Sequence, residues 1–358
     1  MDALGTPVII QTRGPEIMRV LPKVNPEINE EWVSDKGRHA FEGLRFQRLN
    51  TPLKRGVDGK YEELTWEQTM AVLVKAIKGV KGDEIEGRIG PHTDVESIVA
   101  IRDLLHRLGC ERLRYGAREL PHDFRAQYLL GSSIRGLDFA DTLLIVGYNP
   151  RTICPVLNAR IRKSVTDLGL KVAVIGPGEE FFYNYVHLGN STKTLLEIAG
   201  KTHPYCKVLE SAKMPMIIVS SDILRRKDGQ AIAHNLHKIC AEYKVIKPEI
   251  HWNGYNVMLK TAAEAGAYDI GIGSNLTEEE KKKKCKLFYL LGVDEGLNDI
   301  PDDAFVIYQV FLIRAHYRDS REMQVLRGQI LYCRERLIRR SWAAMSIQRE
   351  ELNLHEEL

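Results

Sequence analysis

Six cysteines stand at positions 110, 154, 206, 240, 285 and 333, and no two are closer than 34 residues. Iron-sulfur clusters and structural zinc sites draw at least two thiolates from one tight loop, because the sulfurs must converge to within about 2.3 Å of an ion. This spacing supplies no such loop. Scattered cysteines in a chain of this length fit buried thiols in a reducing compartment, not a disulfide framework. Two glycine-rich turns invite a nucleotide. Gly176-Pro177-Gly178 follows the apolar run Lys171–Ile175, and Gly271-Ile272-Gly273-Ser274-Asn275 follows the short run Tyr268–Ile270. Glycines there would let backbone amides approach a pyrophosphate at a helix start. The third glycine is missing from the first, and Glu179 and Glu180 put negative charge where phosphate would lie. Thr277-Glu278-Glu279-Glu280 after the second is an acidic first helical turn that also repels phosphate.

His234, His237 and Cys240 lie at helical spacings of three, but six residues turn the cysteine well away from the first histidine, so exposed helix histidines are the plain reading. His92, Asp94 and Glu96 beside Gly90-Pro91 lack a nucleophile partner and read as a polar helix entrance. Lys281–Lys284 and Lys286, directly after three glutamates, read as a solvated face with paired charges. Asn158-Ala159-Arg160-Ile161-Arg162-Lys163 follows an Asn-Pro turn at the end of a buried strand, the edge where open α/β sheets collect ligands. Without a phosphate loop, the favoured reading is a docking surface running from Arg160 to Lys163. No residue is assigned a catalytic, cofactor-binding or metal-binding role.

The elements that must position these residues are legible from the apolar pattern. Residues 7–22 read as a hairpin turning at Arg13-Gly14-Pro15, and residues 25–55 as an extended connector pinned by Trp32, Phe41, Leu44 and Phe46. Thr65 with Gln68 forms a capping box before a helix carrying Met70, Val72, Leu73 and Ile77, and 95–108 is a second helix stopping at Gly109. From Asp138 onward short apolar strands alternate with helices: Thr142–Val146, Lys171–Ile175, Pro215–Val219, Lys286–Leu291 and Phe305–Tyr308. The helices between them span 156–165 and 228–243. Such alternation indicates an α/β fold with a mostly parallel sheet covered on both faces.

A net charge of +3 on 358 residues gives no footing for nucleic acid. The longest apolar runs fall far short of the ~18 residues that span a bilayer. The N-terminus carries no basic leader or Arg-rich presequence, so either the protein needs no address or its beginning lies elsewhere. Residues 1–309 hold 23 Lys and 19 Arg, whereas 310–358 hold no Lys, nine Arg and no Pro. That break has two readings: a genuine Arg-rich helical tail, or a departure from the reading frame of the gene. The organisation expected is thus 1–55 β hairpin and connector, 56–309 α/β domain, and 310–358 tail.

Two stretches carry a resemblance. Asn29-Glu30-Glu31-Trp32-Val33-Ser34-Asp35-Lys36-Gly37-Arg38 through Gly43-Leu44 resembles the entry segment of the molybdopterin-oxidoreductase superfamily. Leu144–Arg151, Asn158–Ser164, His187-Leu188-Gly189 and Leu290-Leu291-Gly292 resemble the 75 kDa iron-sulfur subunits of mitochondrial respiratory complex I. The resemblance implies a molybdopterin-oxidoreductase-like fold that serves as scaffold without a redox centre of its own. It also implies 2Fe-2S and 4Fe-4S clusters held by segments upstream of this region, and a parent complex that passes electrons from NADH towards ubiquinone. Implied partners are other complex I subunits of the peripheral arm, on the matrix side of the mitochondrial inner membrane. The competing expectations are a catalytic molybdopterin-dependent oxidoreductase and a free-standing interaction module.

Overall fold

The computed structural model describes residues 4–44, 49–56, 59–115, 120, 125–273, 283–293, 296–309 and 329–333. The chain folds into two compact units that interleave along the sequence. One comprises Met1–His39 with Leu120–Lys260, the other Ala40–Glu119 with Thr261–Leu358. The continuous α/β stretch expected over 56–309 therefore crosses between units twice.

The first unit is built on a five-stranded parallel sheet in the order 255–258, 215–220, 142–146, 171–175, 186–189. Every residue of Thr142–Val146 and of Pro215–Ser220 is buried. Burial on both faces is why these strands are continuous apolar runs and not alternating ones. Helix Pro155–Leu168 starts with proline at its first turn and ends on Gly169 in the left-handed region, at φ 74°. Helix Gly229–Glu242 buries Ile232, Ala233, Leu236 and Ile239, which recur at helical spacing. The N-terminal hairpin is present as Val8–Arg13 paired antiparallel with Glu16–Pro22.

The second unit carries a seven-stranded mixed sheet, ordered 61–63, 53–55, 329–333, 305–309, 287–291, 85–89, 113–115. The last five are mutually parallel, while 53–55 pairs antiparallel on both sides. The Thr65–Gln68 capping box forms at the start of helix Trp66–Lys78, and Asp94 caps helix Val95–Arg107. Gln329–Cys333 is thus a strand, within the stretch whose pattern suggested a helical tail; 310–328 and 334–358 lie outside the described residues.

Three expectations need correction. The connector 25–55 is not simply extended: Asp35–His39 is an α-helix, Ala40–Leu44 a 3-10 turn and Leu53–Arg55 a strand. Nor is Trp32 an anchor, being 54% exposed. The tie there is polar, since the fully buried Asn29 side-chain amide donates to Lys23 O at 3.0 Å and Trp32 O at 2.8 Å. Tyr268 lies in helix Ala262–Asp269 and not in an extended run before a glycine turn.

Gly90 ends strand 85–89 where it abuts the end of strand 287–291, and a Cβ at that position would sit 1.7 Å from Gly292 O. Relief requires separating two backbones that also share the Gly90 N to Leu291 O bond of 2.8 Å. Gly90→Ala is therefore expected to destabilise the protein by about 3 kcal/mol or more, in the overpacking class of mutations. Gly79→Ala, where nothing lies within 4 Å, should stay within about 0.5 kcal/mol. Urea denaturation midpoints of the two variants check the contrast.

Candidate functional site

In open parallel sheets ligands gather beyond the carboxyl ends of the strands, and in the first unit that edge carries glycine turns. Gly147 (φ 58°) follows strand 142–146, Gly176 (φ 143°) follows 171–175, and Gly189 (φ 140°) ends 186–189. The first two amides are already used. Gly147 N donates to Ile175 O at 2.8 Å and Gly176 N to Gly189 O at 2.9 Å. Beyond Gly176-Pro177-Gly178 the chain enters an aromatic cluster and then a strand, not a helix. Phe181 is 1% exposed, stacked on Tyr183 with centroids 5.7 Å apart and tilted against Tyr185 at 5.2 Å. The Tyr185 hydroxyl accepts from Glu179 N and donates its hydrogen to Glu179 O, while Arg151 donates to Glu180 O and lies over the Phe182 ring. A pyrophosphate needs converging free amides at a helix start. These residues offer a packed aromatic corner instead, and they do not fit a pterin dinucleotide's phosphates.

The segment Asn158–Lys163 is not the exposed cationic patch its sequence suggests. Helix Pro155–Leu168 buries Val156, Leu157, Asn158, Arg160, Ile161 and Ser164. Asn158 donates to Phe181 O at 3.1 Å. Arg160, 2% exposed, donates to Pro26 O at 2.8 Å and pairs with Asp138 at 3.0 Å. A guanidinium presents five donors in a fixed fork, which suits it to tie an incoming loop to a helix. Of its cations only Arg162 and Lys163 reach the surface, and Lys163 pairs with Glu30 at 2.7 Å. The docking-surface reading of Arg160–Lys163 is therefore withdrawn.

The remaining candidates do not converge on a site. His234 is exposed, whereas His237 packs edge-on against Tyr255 and Cys240 is buried, its thiol pushed up to about 12 by desolvation. Asp94 accepts from Ser97 N and Ser97 Oγ, each at 3.0 Å, as a helix cap. Lys283 and Lys284 pair with Asp83 and Asp303 at the surface; Lys281, Lys282 and 274–280 lie outside the described residues. Among the described residues no three His, Cys, Asp or Glu side chains are grouped to hold a metal ion, and no helix is long and apolar enough to cross a membrane.

One cluster was missed by the sequence reading. On one face of the second unit's sheet, Glu86 and Arg88 of strand 85–89 stand beside Arg112 and Arg114 on the edge strand's side. Glu86, 3% exposed, accepts from Arg88 Nε at 2.7 Å, Arg114 Nε at 2.7 Å and Arg112 Nη2 at 3.1 Å. Arg88 also forks onto Asp299 at 2.7 and 2.9 Å, donates to Gly296 O at 2.6 Å, and lies 5.1 Å from the Phe288 ring centroid. Arg114 completes the circuit to Asp299 at 2.9 Å. The signal was period two: charges at 86, 88, 112 and 114 alternate with Ile85, Gly87, Ile89 and Leu113. With its donors turned onto carboxylates and carbonyls, the cluster is built to hold strands together, and it presents no nucleophile.

Removing the Glu86 charge would leave buried guanidinium groups facing one another, so Glu86→Gln is expected to cost about 3–5 kcal/mol by analogy with broken buried ion pairs. Loss of the exposed Lys163–Glu30 pair through Lys163→Ala should cost no more than about 1 kcal/mol. Asp299 adds a pH dependence. Burial raises its pKa, but the hydrogen bonds and charges of Arg88 and Arg114 together outweigh burial and hold it below the usual carboxylate range. A depressed carboxylate contributes its stability in full above its unfolded pKa of about 4 and loses it as the pH falls through the folded value. Thermal melts between neutral and acid pH should show this decline in the native protein and a smaller one in Asp299→Asn.

Comparison with known proteins accords with this geometry. Residues 48–319 match the model of the molybdopterin oxidoreductase family, and residues 1–42 match that of the NADH-ubiquinone oxidoreductase NDSU1/NuoG-like 4Fe-4S domain. The matched 1–42 contain no cysteine, the first being Cys110, so they supply no thiolate to a cluster. The chain is 40% identical over 312 residues to the mitochondrial NADH dehydrogenase [ubiquinone] iron-sulfur protein 1 of Solanum tuberosum, covering 86% of this chain and 42% of that protein. It is 39% identical to an NADH-quinone oxidoreductase subunit from Rickettsia felis, covering 89% and 46%, and 36% identical to the NADH-ubiquinone oxidoreductase 75 kDa subunit of Reclinomonas americana, covering 86% and 47%. The chain thus spans less than half the length of these relatives. Among solved structures, acetylene hydratase from Pelobacter acetylenicus aligns at 11% identity with a TM-score of 0.39 over 70% of this chain and 38% of that one. With one family model running through most of both units and parallel strands flanked by helices in each, the chain belongs to the molybdopterin oxidoreductase family.

Proposed function

We propose that this chain is the molybdopterin-oxidoreductase-like region of a complex I 75 kDa (NuoG-type) subunit, working as scaffold and holding no redox centre of its own. The single observation that carries the proposal is the identity of 36–40% to plant, bacterial and protist subunits of NADH:ubiquinone or NADH:quinone oxidoreductases over 86–89% of its length. The parent complex would pass electrons from NADH towards ubiquinone through 2Fe-2S and 4Fe-4S clusters, bound by parts of the protein outside this span. Partners are then the other subunits of the peripheral arm, and the location is the matrix side of the mitochondrial inner membrane. The limits 1–55, 56–309 and 310–358 belong to the same proposal, as does the assignment of no catalytic, cofactor or metal residue.

Two features support a scaffold role. The aromatic corner around Phe181 fills the turn where a dinucleotide's phosphates would need open amides, and among the described residues five cysteines are buried as free thiols. Burial raises the Cys110 pKa, and lifts those of Cys240 and Cys285 to about 12 and about 11. A thiol held that high stays protonated at neutral pH and is a poor nucleophile.

The competing reading, a catalytic molybdopterin enzyme, differs in metal content and company. Epitope-tagged protein is expected to co-migrate with peripheral-arm subunits on native gels of solubilised mitochondria, and to contain no stoichiometric molybdenum when purified. A solitary species carrying one molybdenum per chain would overturn the proposal.

A further inference from the structure

We draw no further inference here: the strongest candidate, the stripe of Trp66, Met70 and Val74 exposed at four-residue spacing along helix Trp66–Lys78 of the second unit, is an apolar helix face, and nothing among the described residues shows what covers it.

Discussion

A carboxylate buried to 3% exposure cannot remain charged alone, and Glu86 is held by three guanidinium groups. Desolvating such ions costs several kcal/mol each, and only close, well-aligned partners return that cost. The demand fixes geometry. Arg88 must lie along the same strand face, Arg114 must come from the neighbouring edge strand and Arg112 from just before it, and the loop bearing Gly296 and Asp299 must close over them. Three arginines against two carboxylates leave an excess of one positive charge, and Asp299, with its side chain 58% exposed, admits solvent where that excess is screened. The opposite face of the same strand is purely apolar, with Ile85 and Ile89 packed against Ile98, Ile101 and Leu105. One five-residue strand therefore divides an electrostatic layer from a hydrophobic one and fixes the register of both.

That division explains which elements the sequence disclosed. Apart from Lys171, strands 142–146, 171–175 and 215–220 are buried on both faces by apolar neighbours, so their composition alone marks them. Strand 85–89 is just as buried, all five positions, but two of them are charged. Read as composition, Ile-Glu-Gly-Arg-Ile looks like a surface turn. The burial of Glu86 depends on partners 26 and 28 residues away at Arg112 and Arg114, and that of Arg88 on one 211 away at Asp299. No local pattern reports such distances. Strands of two or three residues, such as 53–55 and 113–115, carry too few positions for any period to show.

The same logic inverts the reading of the first unit's polar residues. Asn158 and Arg160 drew attention as ligand or partner contacts because of their place after a buried strand. In the fold they face inward, Asn158 bonding the Phe181 carbonyl and Arg160 the Pro26 carbonyl. Asn29 closes the loop that Arg160 holds, through Lys23 O and Trp32 O. Trp32 contributes its carbonyl to that tie while its ring stays at the surface. The N-terminal segment is thus secured by hydrogen bonds, whose partners spacing does not reveal, whereas Trp32, which the aromatic spacing marked as an anchor, leaves its ring at the surface.

These ties decide whether the carboxyl edge of the first unit's sheet can hold a phosphate. A carboxyl-edge site needs uncommitted groups: amides free to meet a phosphate, and cations free to meet an anion. At the edge of the first unit the Gly147 and Gly176 amides bond neighbouring strand ends, Arg151 is spent on Glu180 O and the Phe182 ring, and Phe181 occupies the corner itself. To reopen that corner, Phe181 would have to leave a core in which it touches Tyr183 and Tyr185, and Asn158 would lose its acceptor. Truncating a buried phenylalanine alone costs about 3–5 kcal/mol, a large share of the roughly 5–15 kcal/mol that hold a domain folded. In this chain the residues that would have to yield to a phosphate are the ones that close the fold, so binding there and folding compete for the same groups.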